Sequence, residues 1–227
     1  MANLNPHNLP TTEPVSASSP ITIPVAPGTD LWRKPPSTNS TNAPYYAEYH
    51  SLSSFRRACV TVSAPWDRLY DQGGLILLLP GAEMAGSLRS HSSSLTTSDK
   101  NDTAYEAWVK TGIEMFDGKP NVGTVATPAH GYSDWSLVPT PPGTTSVTIE
   151  VVRQQDGPGL YIYIVDGDKK TMIREVTWVF HGSDPQGMLG VGVYAARPTK
   201  VEGEAEKGEA LSVHFEGLEI EWDTKRM

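Results

Sequence analysis

The chain has 227 residues, 38% of them hydrophobic and 19% charged, with a formal net charge of −8. This length suits one large β-domain, and the 20 glycines and 19 prolines fit many turns and few long helices. The acidic balance, without clusters of lysine or arginine, argues against binding to a nucleic-acid backbone or to an anionic membrane surface.

Residues 1–30 are rich in proline, serine and threonine and contain no aromatic side chain. Such a segment buries too little apolar surface to offset the entropy of ordering it, so the sequence predicts a flexible tail there. We expect the ordered domain to span residues 31–227, with Trp32 docking on the fold at its beginning.

The N-terminus lacks the cationic start and apolar run of a secretory signal, and no window approaches the ~20 apolar residues of a membrane span. We therefore predict a cytoplasmic location and no membrane partner. Cys59 is the single cysteine, which excludes an intramolecular disulfide and a cysteine-based metal site. The alternation around Cys59 predicts a structural thiol in a strand.

From Tyr45 onward, short alternating runs separated by turn signals predict at least nine β-strands and no sustained amphipathic helix. The Asp117-Gly118 pair predicts a two-residue hairpin turn. Many strands without helices favour an all-β fold in which two antiparallel sheets pack face to face. The predicted strands are RACVTVS, GGLILLLP, AYEAWVKTGIEMF, NVGTVAT, SVTIEVVRQ, GLYIYIVD, IREVTWVFH, GMLGVGVYAA and ALSVHFEGLEIEW.

A Ser-rich insertion near residues 84–103 separates two of these predicted strands. A loop of that length in a compact domain is usually functional or disordered. Its composition favours a mobile segment, and the alternative is a lid over the neighbouring sheet face.

Seven separated segments together resemble a family of unknown activity that includes the fungal regulation-of-enolase proteins. The segments are DQGGLILL, WVKTGIE, DGKPNVGTVAT, YSDWS, IREVTW, VGVYAARP and VHFEGLEI. The resemblance covers roughly Asp30 to Trp222 and implies a two-sheet antiparallel jelly-roll sandwich of the concanavalin-like lectin and glucanase type, with a groove on its curved sheet. It implies no established reaction.

The segment WVKTGIEMF contains the first group of candidate ligand-binding residues. Alternate residues of a strand share one face, so Trp108, Lys110 and Glu114 lie opposite Val109 and Ile113. In the concave sheet, the indole offers a flat apolar surface and the two charged groups offer hydrogen bonds to hydroxyls. The alternative is an ordinary solvated sheet face.

Two further segments contain candidate ligand-binding residues. Asp134 and Trp135 combine a carboxylate with an aromatic plane that can stack on a sugar ring, although the same pattern is common at the entry of a strand. Asp71 and Gln72 precede an apolar strand, where they either contact a ligand or tie down a loop. The histidines are scattered, so we predict no metal site and no cofactor.

Three functional hypotheses remain open. The first is a non-catalytic intracellular protein that binds a carbohydrate, a small metabolite or a protein partner through its concave sheet. By resemblance, the protein partner is a metabolic enzyme, and the role is regulation of central carbon metabolism. The second is a glycoside-active enzyme that uses Glu114 with Asp71 or Asp134 as acid and base. The third is a structural protein-interaction module that makes contact through the Ser-rich insertion.

Overall fold

The computed structural model describes residues 3–81, 84–86, 88, 105–181, 187–201 and 209–223. Antiparallel strands dominate these residues and form two large sheets and one small hairpin. The strands are β1 (Asn3–His7), β2 (Val15–Ser16), β3 (Ile21–Val25), β4 (Leu31–Lys34), β5 (Thr38–Thr41), β6 (Tyr45–Ser51), β7 (Phe55–Ser63), β8 (Gln72–Pro80), β9 (Tyr105–Phe116), β10 (Lys119–Thr127), β11 (Asp134–Pro139), β12 (Ser146–Arg153), β13 (Leu160–Asp166), β14 (Lys169–Val176), β15 (Met188–Ala196) and β16 (Leu211–Trp222).

The eight-stranded sheet has the order β11-β10-β9-β8-β15-β6-β1-β2, and the six-stranded sheet has the order β14-β13-β12-β7-β16-β3. The two sheets pack face to face as the two-layer antiparallel jelly-roll sandwich predicted from the sequence. Asp117 and Gly118 both have positive φ, at 53° and 70°, as a type I′ turn requires, so the predicted β9–β10 hairpin is confirmed.

The main hydrophobic core lies between the two sheets. Its residues include Leu75 and Leu77 of β8 with Val109 and Ile113 of β9, all with no solvent exposure. They alternate with residues that point to the other face of the same sheet, which we call the outer face. The pleat thus gives β8 and β9 two different sets of neighbours.

A second, smaller apolar cluster covers part of this outer face. Its members are Leu31, Ala43, Tyr45, Ala47, Ile76, Leu78, Tyr105, Trp108, Tyr194 and Ala196. Leu31 and Ala43 come from residues 26–44, which we call the strap and which contain the β4–β5 hairpin. The strap is fixed to the strand ends by backbone hydrogen bonds from Gly28 N–H to the Arg197 carbonyl (2.8 Å) and from Ser133 N–H to the Arg33 carbonyl (2.8 Å).

The flexible tail predicted over residues 1–30 is wrong for the described part of that segment. Strands β1 and β2 extend the eight-stranded sheet, and β3 pairs with β16 in the six-stranded sheet. Leu4, Ile21, Ile23 and Val25 are buried in the main core. The sandwich therefore begins near residue 3, because a few well-spaced apolar side chains suffice for a strand at a sheet edge.

The Ser-rich insertion predicted near residues 84–103 lies outside the described residues, except for residues 84–86 and 88. Within the part of the chain that the structure describes, no helix has both the length and the apolar character needed to cross a bilayer.

Candidate functional site

A cavity of about 220 Å³ opens on the outer face beside the strap. It is lined by Asp30, Trp32, Tyr70, Gln72, Lys110, Glu114 and Trp135. We call this cavity the outer-face pocket. Four of the seven residues predicted from the sequence meet here: Gln72, Lys110, Glu114 and Trp135.

Strand pairing explains why these four residues converge. Glu114 of β9 lies opposite Gln72 of β8. Lys110 lies opposite Val125 of β10, which in turn pairs with Trp135 of β11. All four side chains therefore share the outer face across four adjacent strands, although they are far apart in the sequence.

The floor between Lys110 and Glu114 carries no side chain, because Gly112 occupies the position between them and pairs with Gly74 and Gly123. A Cβ atom at Gly123 would lie 2.4 Å from Glu114 Oε2. Glycine at this position therefore leaves room for the carboxylate, as glycines in strands do where another group approaches closely.

Lys110 is the charged group at the bottom of the pocket, with a side chain that is only 2% exposed. Its ammonium donates to Gln72 Oε1 (2.6 Å) and to Asp30 Oδ1 (3.2 Å). An ammonium group has three N–H donors, so one remains beyond these two bonds. Gln72 is held in turn, because Nε2 donates to the Tyr70 carbonyl at 3.1 Å and Oε1 also accepts from the Tyr194 hydroxyl at 3.3 Å.

Glu114 is the second buried charged residue of the pocket and is 8% exposed. Its Oε2 accepts a hydrogen bond of 2.9 Å from the indole Nε1 of Trp135. Burial raises the pKa of the Glu114 carboxyl, while the nearby Lys110 charge and the indole N–H oppose the shift.

Three aromatic rings form the sides of the pocket. The ring centroids of Trp32 and Trp135 are 6.5 Å apart with planes at 90°, and those of Tyr70 and Trp135 are 6.3 Å apart at 71°. All three residues are partly exposed. Aromatic side chains with accessible faces can stack on the C–H surface of a ligand.

Tyr70 adopts the left-handed backbone region, with φ of 66°. A bulky residue rarely takes this conformation, and such strain persists where the surrounding structure imposes it, often at a ligand site. The neighbouring Asp71 supplies the constraint: its carboxylate accepts from Arg197 Nε (2.9 Å), from Arg197 Nη2 (3.1 Å) and from the Arg68 backbone N–H (3.0 Å).

Asp71 does not line the pocket, although the sequence makes it a candidate ligand-binding residue. It is fully buried and faces the sandwich interior, where it pairs with Arg197. The structure has the second arrangement predicted from the sequence, in which Asp71 ties down a loop. That loop carries Tyr70, so Asp71 holds one wall of the pocket in position.

Asp134 also lies away from the pocket. Its side chain is 71% exposed and forms an ion pair with Arg174 at 2.5 Å. Successive residues of a strand point to opposite faces, so Trp135 faces the pocket and Asp134 does not. The acid–base pairs expected for a glycoside-active enzyme, Glu114 with Asp71 or Asp134, are therefore not assembled.

Trp108 lies on the outer face as predicted, but it is fully buried and does not line the pocket. The guanidinium carbon of Arg33 lies 4.5 Å from its ring centroid. Arg33 is itself fixed by bonds to the Gly131, Pro128 and Glu106 carbonyls at 2.7–2.9 Å. The strap therefore covers the surface that Trp108 was expected to offer a ligand.

Three pocket residues were not among the candidates from the sequence: Asp30, Trp32 and Tyr70. The strap brings Asp30 and Trp32 to β9 across about 80 residues of chain, as the Lys110–Asp30 bond shows. The sequence contains no local signal for this contact. For Tyr70, the available signal was its position next to the candidate residues Asp71 and Gln72.

A second cavity of about 470 Å³ lies at one end of the sandwich and is lined by Trp66, Met115, Gly118, Lys119, Pro120 and residues 140–145. It is larger, but its one charged side chain is Lys119, and the rest of its lining is uncharged. The described residues contain no group of three or more histidine, cysteine, aspartate or glutamate side chains that could hold a metal ion.

The fold and the pocket together define a jelly-roll sandwich with a small, partly roofed hollow on the outer face of one sheet. The chain belongs to a family of proteins of unknown function, DUF1349, whose model matches residues 7–222. The family of unknown function predicted from the sequence is confirmed at this level.

Two known proteins are similar to this chain over most of its length. An uncharacterized protein of Emericella nidulans is 42% identical over 200 residues, which cover 88% of this chain and 85% of that protein. The crystal structure of a functionally unknown protein from Saccharomyces cerevisiae is 18% identical, with a TM-score of 0.66 over 98% of this chain and 97% of that one. The second likeness shows the shared fold.

Proposed function

We propose that the protein binds a small polar ligand, a monosaccharide or a metabolite of similar size, in the outer-face pocket, without chemical turnover. The observation that carries this proposal is the convergence of two buried charged groups and three accessible aromatic rings on one hollow. Sugar-like ligands need both features, because their rings present apolar C–H faces and their edges present hydroxyls.

The buried charges support a ligand-binding role because they are costly for the fold alone. Lys110 and Glu114 lie at outer-face positions where apolar side chains could extend the neighbouring apolar cluster. Burying an ionised group instead removes its hydration, which costs free energy. Buried ion pairs are weak evidence for stability, whereas perturbed ionisable groups in a hollow are a frequent mark of functional sites.

The size of the pocket supports a ligand of about one ring. Its volume of about 220 Å³ lies below the range of ≈300–1,000 Å³ typical for drug-sized ligands. The strap closes one end of the outer face, so an extended chain of sugar units would collide with Leu31 and Arg33. A single ring fits this volume, with Trp32, Tyr70 and Trp135 in the wall beside it.

The other predictions have less support. The enzyme hypothesis lacks its assembled acid–base pairs, and the contact surface of the interaction module falls on residues that are not described. The metabolic-enzyme partner, the regulation of central carbon metabolism and the cytoplasmic location stay predictions from the sequence.

The test is a calorimetric titration of the purified protein with glucose, galactose, mannose and glucosamine, followed in parallel by tryptophan fluorescence. We expect one or more of them to bind, and Trp135→Leu to weaken that binding by about 2- to 10-fold through loss of stacking. Trp66→Leu, beside the second cavity, is the matched control and should leave the affinity unchanged.

Two results would contradict the proposal. One is that none of the four sugars binds at millimolar concentrations. The other is binding that Trp66→Leu weakens and Trp135→Leu does not, since this would assign the ligand to the second cavity. Recovery of each sugar unchanged after prolonged incubation is expected for a protein without turnover.

A further inference from the structure

The charges that line the outer-face pocket do not balance. Lys110 is balanced by Asp30, because Lys110 Nζ lies 3.2 Å from Asp30 Oδ1. Glu114 forms no ion pair among the described residues: its bond at Oε2 comes from the uncharged indole of Trp135, and the nearby Lys110 charge is already paired with Asp30. With Gln72 uncharged, the pocket carries a net charge of about −1.

A carboxylate without an ion-pair partner in a mostly buried site destabilises the folded protein. A bound cation offsets part of this cost. Glu114 Oε1 receives no hydrogen bond from the residues that the structure describes, so this oxygen is available to a ligand donor. The remaining N–H of Lys110 can at the same time donate to a ligand hydroxyl.

The aromatic walls add a second, independent attraction for positive charge. Trp32 and Trp135 meet at 90°, and Tyr70 and Trp135 meet at 71°, so the rings bound the hollow from different directions. A cation within about 6 Å of such ring faces is attracted by their quadrupoles, and several rings around one hollow form the aromatic cage that recognises organic ammonium groups.

We propose that the ligand of this pocket carries a positively charged nitrogen on a small hydroxylated frame, as an amino sugar or an amino alcohol does. The inference rests on the proposed function and narrows its ligand class. The ammonium group lies between Glu114 and the aromatic rings, and a hydroxyl group accepts from Lys110. A neutral sugar makes the stacking contact but leaves the Glu114 charge unbalanced.

Two pairs of matched probes test the sign of the charge. Glucosamine and glucose differ at one ring substituent, and choline and 3,3-dimethylbutan-1-ol differ in the quaternary nitrogen that replaces a carbon. At pH 6.5 and low salt we expect the charged member of each pair to bind about tenfold more tightly than the neutral member. Raising the ionic strength should reduce this preference.

Glu114→Gln tests the residue that the inference depends on. The amide is nearly isosteric and still accepts the Trp135 hydrogen bond, but it removes the charge. We expect the preference for the charged probes to fall toward unity. Glu216→Gln, an exposed glutamate on the six-stranded sheet, is the matched control and should leave the preference intact. Circular dichroism establishes that both variants are folded.

The outcomes separate this inference from the proposed function. If glucose binds as tightly as glucosamine, and the butanol as tightly as choline, the pocket binds ligands but the cationic class is wrong. If neither glucosamine nor choline binds, the inference fails; the proposed function fails with it only when glucose, galactose and mannose do not bind either. If the preference for the charged probes survives in Glu114→Gln, the carboxylate does not provide it, and the inference is overturned.

The pH dependence of choline binding gives a second readout, because the charge of choline does not titrate. The groups that face Glu114 are Lys110, Asp30 and Tyr194. Burial raises the pKa of Glu114, so choline affinity should fall with decreasing pH, beginning above the range in which an ordinary glutamate titrates. The Glu114→Gln variant should lack this dependence, and a dependence that persists in it would contradict the assignment.

Discussion

The two faces of the eight-stranded sheet show how one set of strands can serve two purposes. The inner faces of β8 and β9 are mainly apolar, with Leu75, Leu77, Val109 and Ile113 in the main core, and they pack on the six-stranded sheet. The outer faces of the same strands divide into an apolar end under the strap, at Ile76 and Trp108, and a polar end that forms the pocket, at Lys110 and Glu114.

The difference between the faces comes from what covers them. The inner face meets a whole sheet, so every position is filled and buried. Among the described residues, the outer face is covered in part by the strap, through Leu31 and Arg33, and by Met84, and the pocket opens beside this covered part. The strap thus turns an exposed sheet face into a hollow with one closed end, and it adds Asp30 and Trp32 to that hollow.

The largest expected effect concerns the inner face, where Arg197 and Asp71 form an ion pair with side chains that are 2% and 0% exposed. Arg197→Met removes one partner and leaves the buried carboxylate unbalanced. We expect a loss of about 3–5 kcal/mol in the free energy of unfolding, measured by urea denaturation.

Arg174→Met is the matched control for this prediction, because its partner Asp134 is 71% exposed. An exposed ion pair contributes at most about 1 kcal/mol. Equal losses for the two variants would show that burial does not distinguish the inner pair from the surface pair.

The next effect concerns the outer face at β1, where the ring of His7 stacks on Tyr45 at 4.5 Å. Burial lowers the pKa of His7 to about 4, so the folded protein takes up its proton less readily than the unfolded chain. The stability from neutral His7 is complete above pH 6.5 and is lost as the pH falls toward 4. The loss amounts to about 3 kcal/mol.

His7→Phe retains an aromatic ring on Tyr45 and cannot titrate. Its free energy of unfolding should therefore depend less on pH between 6.5 and 4 than that of the unsubstituted protein. Chemical denaturation at a series of pH values gives the comparison, and two parallel pH profiles would contradict the assignment to His7.

The smallest of the three effects concerns Glu114 in the polar half of the outer face. Burial raises its pKa in the folded protein, so its stability contribution is greatest below the pKa of the unfolded chain and declines as the pH rises through the folded pKa. Relative to the unsubstituted protein, Glu114→Gln should gain stability from pH 4 to pH 7. Denaturation midpoints measure this difference, and a constant offset across the range would argue against the shift.

Nine of the ten strands from β7 onward could be predicted from the sequence because each is an apolar or alternating run of seven or more residues, whereas the six-residue β11 was not among the predicted strands. Residues 3–25 were assigned to a tail because prolines and hydroxyl side chains dominate that segment. The alternation of Ile21, Ile23 and Val25 was the signal for β3. Pro24 fits there because β3 is an edge strand and its exposed side needs no N–H donor.

The candidate site could be predicted where it depends on alternation along a strand, which places Lys110 and Glu114 on one face. It could not be predicted where it depends on contacts between distant segments. The covering of Trp108 by Arg33 and the approach of Asp30 to Lys110 both require the path of the strap. The left-handed backbone of Tyr70 has no sequence signal, because glycine is the residue expected at such a position.

The most direct test of the pocket is the set of indole N–H signals of the ¹⁵N-labelled protein, each assigned by substitution of one tryptophan. Titration with glucosamine, and separately with glucose, should shift the signals of Trp32 and Trp135 and leave those of Trp66, Trp178 and Trp222 in place. Shifts confined to Trp66 would contradict the claim that the outer-face pocket is a ligand site, and so would the absence of shifts with glucosamine, glucose, galactose and mannose.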